Sequence, residues 1–251
     1  MKINTNIKAL GVATTMLTGL VLGGSITSYA ADGGVYQSNA IIEFEPATGT
    51  VTPPVDPTNP ENPDPVDPVD PTDPNGPKPG TPGPLSIDYA SSLTFGKQKI
   101  TSTEQVYKAE AQKFGGRGDG PNYVQVTDSR GKDAGWSLQV KQDGQFKSTS
   151  GKVLTGAEIT FKNAWVNTAS ASPKPSIKKS TFSLKPDGTG VAENIMSAKA
   201  GEGNGTYLLV FGDDTTAANS IELSIPGSTT KYAEKYATSL TWTLTDTPGQ
   251  E

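Results

Sequence analysis

The sequence of 251 residues contains neither cysteine nor histidine, and each absence excludes a class of chemistry. Without cysteine there is no disulfide, no thiol nucleophile and no thiolate metal site. Without histidine the usual nucleophile-histidine pairs and histidine-containing zinc sites are excluded too. A two-carboxylate glycosidase needs neither residue type, and its candidate acids would be Glu158, Glu193 and Glu222. None of them lies in a sequence setting typical of a catalytic acid, so we expect no enzymatic activity, no metal and no cofactor.

Long hydrophobic runs are also scarce. The run Ala9 to Leu22 is uncharged, follows Lys2 and Lys8, and leads into small residues that end at Ala30. This arrangement predicts a secretory signal peptide over residues 1–30 and a mature chain without a membrane span. There is no cysteine for lipidation and no LPxTG-like sorting motif. We therefore expect a secreted protein whose retention on a cell, if any, is non-covalent.

Clustered positive charge is missing as well. The formal net charge is −5, and the tract from Pro53 to Pro84 alone carries six carboxylates against the single Lys78. Most of the negative charge thus belongs to this tract. It says little about what the rest of the chain binds. Binding of nucleic acid needs a clustered excess of lysine and arginine, so nucleic acid is not an expected partner.

The tract itself reads PPVDPTNPENPDPVDPVDPTDPNGPKPGTPGP. Proline at nearly every third position prevents a helix or an inner strand, so residues 53–84 are predicted to form an extended, solvated spacer. The preceding residues 31–52 are too few to fold alone, but Ala40 to Glu45 (AIIEFE) resemble a strand. We predict that this strand pairs with the domain beyond the tract, which would make the tract a long insertion.

Residues 85–251 show short β-rich runs separated by clusters of Gly, Pro, Asn and Asp. This spacing predicts a single all-β domain, built as an antiparallel sandwich or a barrel-like fold. Ser102 to Phe114 has a weak helical pattern and is equally compatible with a strand and a loop. The runs predicted as strands are LSIDY, LTF, YVQVT, WSLQVK, AEITFKNAWV, STFSL, TYLLVF, SIELSIP and SLTWTL.

Two of the three tryptophans share one frame, Trp-x-Leu, in GWSLQV and in SLTWTL. Side chains alternate between faces along a strand, so Trp136 and Leu138 share one face, and Trp242 and Leu244 share another. Such an apolar face is either packed in a core or presented to a ligand. Spacing alone favours the core.

Six spaced positions near the C-terminus carry a resemblance to a known family. They follow the pattern Y-x-x-x-L-T-W-x-L-x-x-x-P and are Tyr236, Leu240, Thr241, Trp242, Leu244 and Pro248. The chain thus resembles the WxL domain proteins of Gram-positive bacterial surfaces, and TDSRGKDAGWSLQV resembles the first motif of that family. The resemblance implies a β-rich domain held non-covalently on the cell wall, with peptidoglycan as the ligand. The candidate binding residues that fit it are Trp136, Leu138, Trp242, Leu244 and Tyr236.

Two further features have alternative interpretations. The basic stretch with Lys174, Lys178, Lys179 and Lys185 is either a solvated face or a contact for anionic wall polymers. Arg117-Gly118-Asp119 is either a Gly-rich turn or an adhesive tripeptide, and the turn is favoured. The alternative to a direct wall binder is a protein-interaction subunit of a multiprotein complex at the cell surface, or an adhesin, with other surface proteins as partners.

Overall fold

The computed structural model describes residues 35–62, 64–186 and 192–248. The predicted signal peptide, residues 1–30, lies outside these residues. The chain divides into two units, Met1–Ile42 and Glu43–Glu251. In the first unit, residues 35–42 are exposed and have no regular secondary structure. Within the described ranges, no helix is long and apolar enough to cross a membrane.

The second unit is built from short strands, and its described residues contain a single-turn 3-10 helix, Ala217–Asn219, but no α-helix. The strands, numbered in chain order, are β1 Asp67–Pro68, β2 Leu85–Ala90, β3 Gln105–Lys108, β4 Phe114–Gly115, β5 Asn122–Asp128, β6 Trp136–Gln142, β7 Lys147–Ser148, β8 Glu158–Phe161, β9 Ala164–Asn167, β10 Ser176–Ile177, β11 Phe182–Ser183, β12 Glu193–Ala198, β13 Gly205–Phe211, β14 Ile221–Ile225, β15 Tyr236–Ala237 and β16 Leu240–Thr245.

Three antiparallel sheets of four strands each form the body of this unit. The central sheet has the order β2-β5-β13-β9, the motif sheet β10-β12-β6-β16 and the third sheet β11-β8-β14-β3. Two small ribbons, β1-β4 and β15-β7, complete the pairing. The predicted all-β antiparallel fold is confirmed. Each of the three sheets keeps two edge strands, so none of the sheets in the described residues closes into a barrel.

One large core joins the three sheets. The central sheet contributes Tyr207 and Leu209, the motif sheet Trp136 and Leu138, and the third sheet Phe161, all of them buried. The ring of Phe161 stacks on that of Phe182, with centroids 5.0 Å apart. Burial of these apolar side chains is the main stabilising contribution to the fold.

The central sheet is also covered on its outer face. Strand β13 reads GTYLLVF, a nearly continuous apolar run, as expected for a strand buried on both sides. While Tyr207 and Leu209 face the large core, Leu208 and Val210 face a second core that contains Tyr89, Phe114 and Tyr123. Two valines of the Pro/Asp-rich tract, Val55 and Val66, pack against this second core together with Trp165.

The tract is therefore not a solvated spacer, and that prediction is wrong for its described residues. Pro57 and Pro68 are buried. The amide of Gln125 donates to the carbonyl of Pro53 at 3.0 Å and accepts from the backbone N–H of Val55 at 2.8 Å. The tract stays extended because proline prevents helix formation, but its few apolar residues find a complementary surface that local sequence does not reveal.

Four other local predictions are corrected. Residues 40–45 form no strand, and Ile41, Ile42 and Phe44 are 77–95% exposed. An apolar run becomes a strand only when it pairs with a neighbouring strand, because a lone strand is not stable in water. The tract is thus not an insertion between two paired strands of the described chain.

AEITFKNAWV is not one strand but two, β8 in the third sheet and β9 in the central sheet. The chain turns at Asn163, whose φ of 53° lies in the left-handed region that asparagine tolerates. Residues 93–95 (LTF) form no strand. The stretch with the weak helical pattern contains the strand β3 and no helix.

Candidate functional site

The two Trp-x-Leu segments are neighbouring strands of the motif sheet. Strand β6 carries the first segment and pairs antiparallel with β16, which carries the second, so that Leu244 lies opposite Leu138 and Trp242 opposite Val140. Asp143, which follows β6, links that strand to the start of β16. Its carboxylate accepts hydrogen bonds from Thr241 Oγ1 and Ser239 Oγ, each at 2.8 Å. Residues more than a hundred positions apart in the chain thus form one surface.

Trp136 belongs entirely to the core. Its side chain and that of Leu138 are 0% exposed. The indole Nε1–H donates to the carbonyl of Gly203 at 2.9 Å, and the ring lies 6.3 Å from that of Tyr207. Gly203 passes so close that a Cβ there would lie 2.7 Å from Nε1. Trp136 and Leu138 can therefore touch a wall polymer only if the sheet opens.

Trp242 is placed differently, because β16 is an edge strand. Leu240, Trp242 and Leu244 are partly buried against the large core, while Thr241 and Thr243 point to solvent. The indole meets the ring of Phe161 edge-on, with centroids 6.3 Å apart. Its remaining surface lines a cleft.

This cleft has a volume of about 460 Å³ and lies between the tract, β2 with the loop after it, and the start of β16. Its apolar lining includes Leu93, Phe95, Phe146, Leu240 and Trp242. The rings of Phe95 and Phe146 stand edge to face, 6.4 Å apart. An apolar floor with a few fixed polar groups is the usual form of a ligand site.

Carboxylates and hydroxyls make up the polar rim of the cleft. Asp70 accepts hydrogen bonds from Ser92 Oγ at 2.8 Å and from the amide and hydroxyl of Thr72, each at 2.7 Å. Burial raises the pKa of Asp70, but these hydrogen bonds outweigh that effect and leave the pKa below its usual value. Asp70 is therefore ionised at neutral pH and is held in one position.

One wall of the cleft is the stretch of the tract from Pro77 to Thr81, which lies along the edge of β2. The N–H of Thr81 donates to the carbonyl of Ile87 at 2.8 Å, and the N–H of Ile87 donates to Thr81 Oγ1 at 2.9 Å. Gly80 approaches β2 so closely that a Cβ would lie 2.6 Å from the carbonyl oxygen of Asp88. The contact of tract and sheet shapes the cleft.

Tyr236, the remaining aromatic candidate, lies in the ribbon formed by β15 and β7. It is partly buried against the large core, and its hydroxyl accepts a hydrogen bond from the N–H of Tyr232 at 3.0 Å. It does not line the cleft. In the structure its contacts hold the chain that leads into β16.

Three of the four candidate lysines have local contacts in the structure. Lys174 Nζ donates to the carbonyl of Val166 at 3.3 Å, and Lys179 forms an ion pair with Glu193 at 2.6 Å. The backbone N–H of Lys178 donates to Ile195, and Lys185 is exposed. The ion pair of Lys179 reduces the charge that this stretch offers to an anionic polymer.

Arg117 of the Arg-Gly-Asp tripeptide holds the tract. Its guanidinium forms an ion pair with Asp56 and lies over the ring of Phe114, 4.8 Å from the centroid. Asp119 is exposed. An arginine engaged in this way is not presented together with Asp119 as a linear recognition motif.

Sequence reasoning missed most of the cleft. The alternation in LTF marks Leu93 and Phe95 as residues of one face, but it does not show which elements lie opposite them. The acidic residues of the rim, Asp70 and Asp73, belong to the stretch that was predicted to be a solvated spacer. Only Trp242 was a candidate site residue that the structure brings to this cleft.

Comparison with known proteins agrees with the pattern of the motifs. A family model described as "WxL domain surface cell wall-binding" matches residues 31–248. Searches among curated proteins and among solved structures gave no significant match. The family match includes the tract and both Trp-x-Leu strands. The chain therefore belongs to the WxL domain family and is a surface protein associated with the cell wall.

Proposed function

We propose that the protein is secreted and attaches non-covalently to the peptidoglycan of a Gram-positive cell wall through the cleft at β16. The observation that carries this proposal is the position of Trp242. This tryptophan of the C-terminal motif is partly buried and lines a cleft that hydrogen-bonded polar groups also line. An indole that is partly exposed in such a cleft offers apolar area to sugar rings or to peptide side chains.

Export is supported by the sequence of residues 1–30, which has the charge and hydropathy order of a signal peptide. Attachment to the wall is supported by the match of residues 31–248 to a family described as surface cell wall-binding. The proposal includes no catalytic step, so incubation with sacculi should release no soluble fragments.

The test is co-sedimentation of the chain that starts at Ala31 with purified sacculi. We expect the wild type to sediment with them and Trp242→Ala to bind about ten-fold more weakly, as is typical when a central aromatic contact is removed. Trp165→Ala is the matched control, because Trp165 is also partly buried but packs against the second core, away from the cleft. Circular dichroism would establish that both variants are folded.

Two results would contradict the proposal. Failure of the wild type to sediment with sacculi would exclude direct wall binding. Equal binding by wild type and Trp242→Ala would place the wall-binding surface elsewhere on the domain.

A second candidate function is that of a protein-interaction subunit in a surface complex. The observation that favours it is a row of exposed large apolar side chains near the N-terminus, namely Val35, Tyr36, Ile41, Ile42 and Phe44, which are 77–97% exposed. Exposed apolar patches commonly mark protein contacts. Retention on walls only in the presence of other surface proteins, and its loss when residues 35–45 are deleted, would favour this function over direct binding.

A further inference from the structure

We infer that the cleft takes the peptide arm of peptidoglycan, with a free amino group of that arm against the carboxylates of the rim and its aliphatic part on Trp242 and Leu240. This inference rests on the proposed function and specifies its ligand. It follows from the charge, the apolar floor and the rigidity of the cleft.

The charge of the cleft is negative. Asp70, Asp73 and Asp88 line it, against the single Lys78. Asp88 is only 2% exposed and accepts hydrogen bonds from Ser86, Thr127 and Gln125, so Asp70 and Asp73 are the carboxylates that a ligand meets. In a cleft that excludes part of the water, such carboxylates attract an ammonium group and repel a phosphate.

The floor of the cleft is apolar. Trp242, Leu240 and Phe95 are partly buried, and Phe146, which lines the cleft with them, is 9% exposed. A floor of this kind suits the methylene groups of an aliphatic side chain next to the amino group. A glycan of N-acetylated sugars could stack on Trp242 as well, but it has no cation for the two carboxylates. The charge therefore favours the peptide arm over the glycan.

The polar groups of the cleft are held before a ligand arrives. Ser92 is bound by Asp70, Ser239 by Asp143, and Thr238 Oγ1 donates to the carbonyl of Gly144 at 2.7 Å. Together with the hydrogen bonds between Thr81 and Ile87, these contacts fix both walls. A site with fixed walls loses little conformational entropy on binding, which supports a recognition role.

The experiment uses sacculi stripped of teichoic acid, before and after acetylation of their free amines. Acetylation removes the positive charge of the free amines and leaves the glycan chains uncleaved, so we expect the wild type to bind about ten-fold more weakly afterwards. Asp73→Asn should weaken binding to untreated sacculi by a similar factor and should bind acetylated sacculi as the wild type does. Asp64→Asn is the matched control, since Asp64 lies in the same tract, is exposed and does not line the cleft.

The outcomes separate this inference from the proposed function. If wild-type binding is unchanged by acetylation, or if Asp64→Asn and Asp73→Asn behave alike, the amine is not the ligand although wall binding stands. If binding survives enzymatic removal of the peptide arms, the glycan is the ligand and the inference is overturned. If the wild type binds no sacculi at all, the proposed function fails and the inference fails with it.

Discussion

Trp136 and Trp242 occupy the same three-residue frame, the same sheet and the same face of that sheet, yet their surroundings differ. Trp136 is on β6, which has β12 on one side and β16 on the other, and its indole is fully buried. Trp242 is on β16, which pairs only with β6 and leaves the indole partly open to the cleft. Sequence spacing decides the face of a side chain, whereas position within the sheet decides whether any of that face is accessible.

The comparison predicts a large difference in stability between the two alanine variants. Trp136→Ala should lower the free energy of unfolding by about 3–5 kcal/mol, because it leaves a cavity in the large core. Trp242→Ala should cost about 1–2 kcal/mol, since its side chain is only partly buried. Urea denaturation followed by circular dichroism measures both. Equal losses would show that burial does not distinguish the two positions.

Gly203 offers a second way to perturb Trp136 without changing it. Its φ is +79°, and a Cβ there would lie 2.5 Å from the Cβ of Ala198 and 2.7 Å from Trp136 Nε1. We expect Gly203→Ala to destabilise the fold by about 2–3 kcal/mol, through overpacking and the unfavourable φ.

The matched control for that variant is Gly201→Ala. Gly201 has a similar φ of +89°, but nothing lies within 4 Å of the added Cβ. Its cost should be limited to about 1–2 kcal/mol for the backbone conformation. The same denaturation experiment compares the two, and a Gly201→Ala loss as large as that of Gly203→Ala would contradict the close packing around Trp136.

The smallest expected effect concerns the attachment of the edge strand through Asp143. Hydrogen bonds from Thr241 and Ser239 hold the pKa of Asp143 below its ordinary value of 3.8. A carboxyl whose pKa is lowered on folding stabilises the fold above its unfolded pKa, and this contribution is lost as the pH falls through the folded value. The difference in stability between wild type and Asp143→Asn should therefore be constant near neutral pH and shrink below about pH 3.8.

Denaturation of both proteins across this pH range measures the effect. Hydrogen exchange at the amides of β16 would localise it to the edge strand. A stability difference that does not change with pH would show that Asp143 does not link β16 to β6 through its charge.

Alternation predicted much of the motif sheet correctly. It placed Trp136 and Leu138 on one face of the first strand, and Trp242 and Leu244 on one face of the second. The structure buries or partly buries all four on the core side. It did not predict that β6 and β16 are neighbours, because pairing between distant segments depends on the whole fold. The family resemblance indicated the domain, but it did not distinguish the buried tryptophan from the accessible one.

The tract was the main failure, and its reason is visible in β5. Val124 and Val126 face the large core, while Tyr123 and Gln125 face the opposite way and are fully buried as well. A strand with aromatic and amide side chains on its second face suggests that something covers that face. Proline content predicts the extended backbone of residues 53–84, but it does not show that this backbone finds a surface to lie on.

The docked tract also has a mechanical consequence for a protein that is held on a wall. A pull on the chain before Pro53 would act first on contacts arranged one after another: Gln125 to Pro53 and Val55, Arg117 to Asp56, and Asn167 to Pro57. Such contacts break singly, starting from the N-terminal end of the tract. A fully released tract of about thirty residues would have an end-to-end length of up to about 100 Å at roughly 3.1 Å per residue. The first part of the tract would thus lengthen under load while the three sheets are still folded, whereas release of the chain as far as Asp70 and beyond would remove one wall of the cleft.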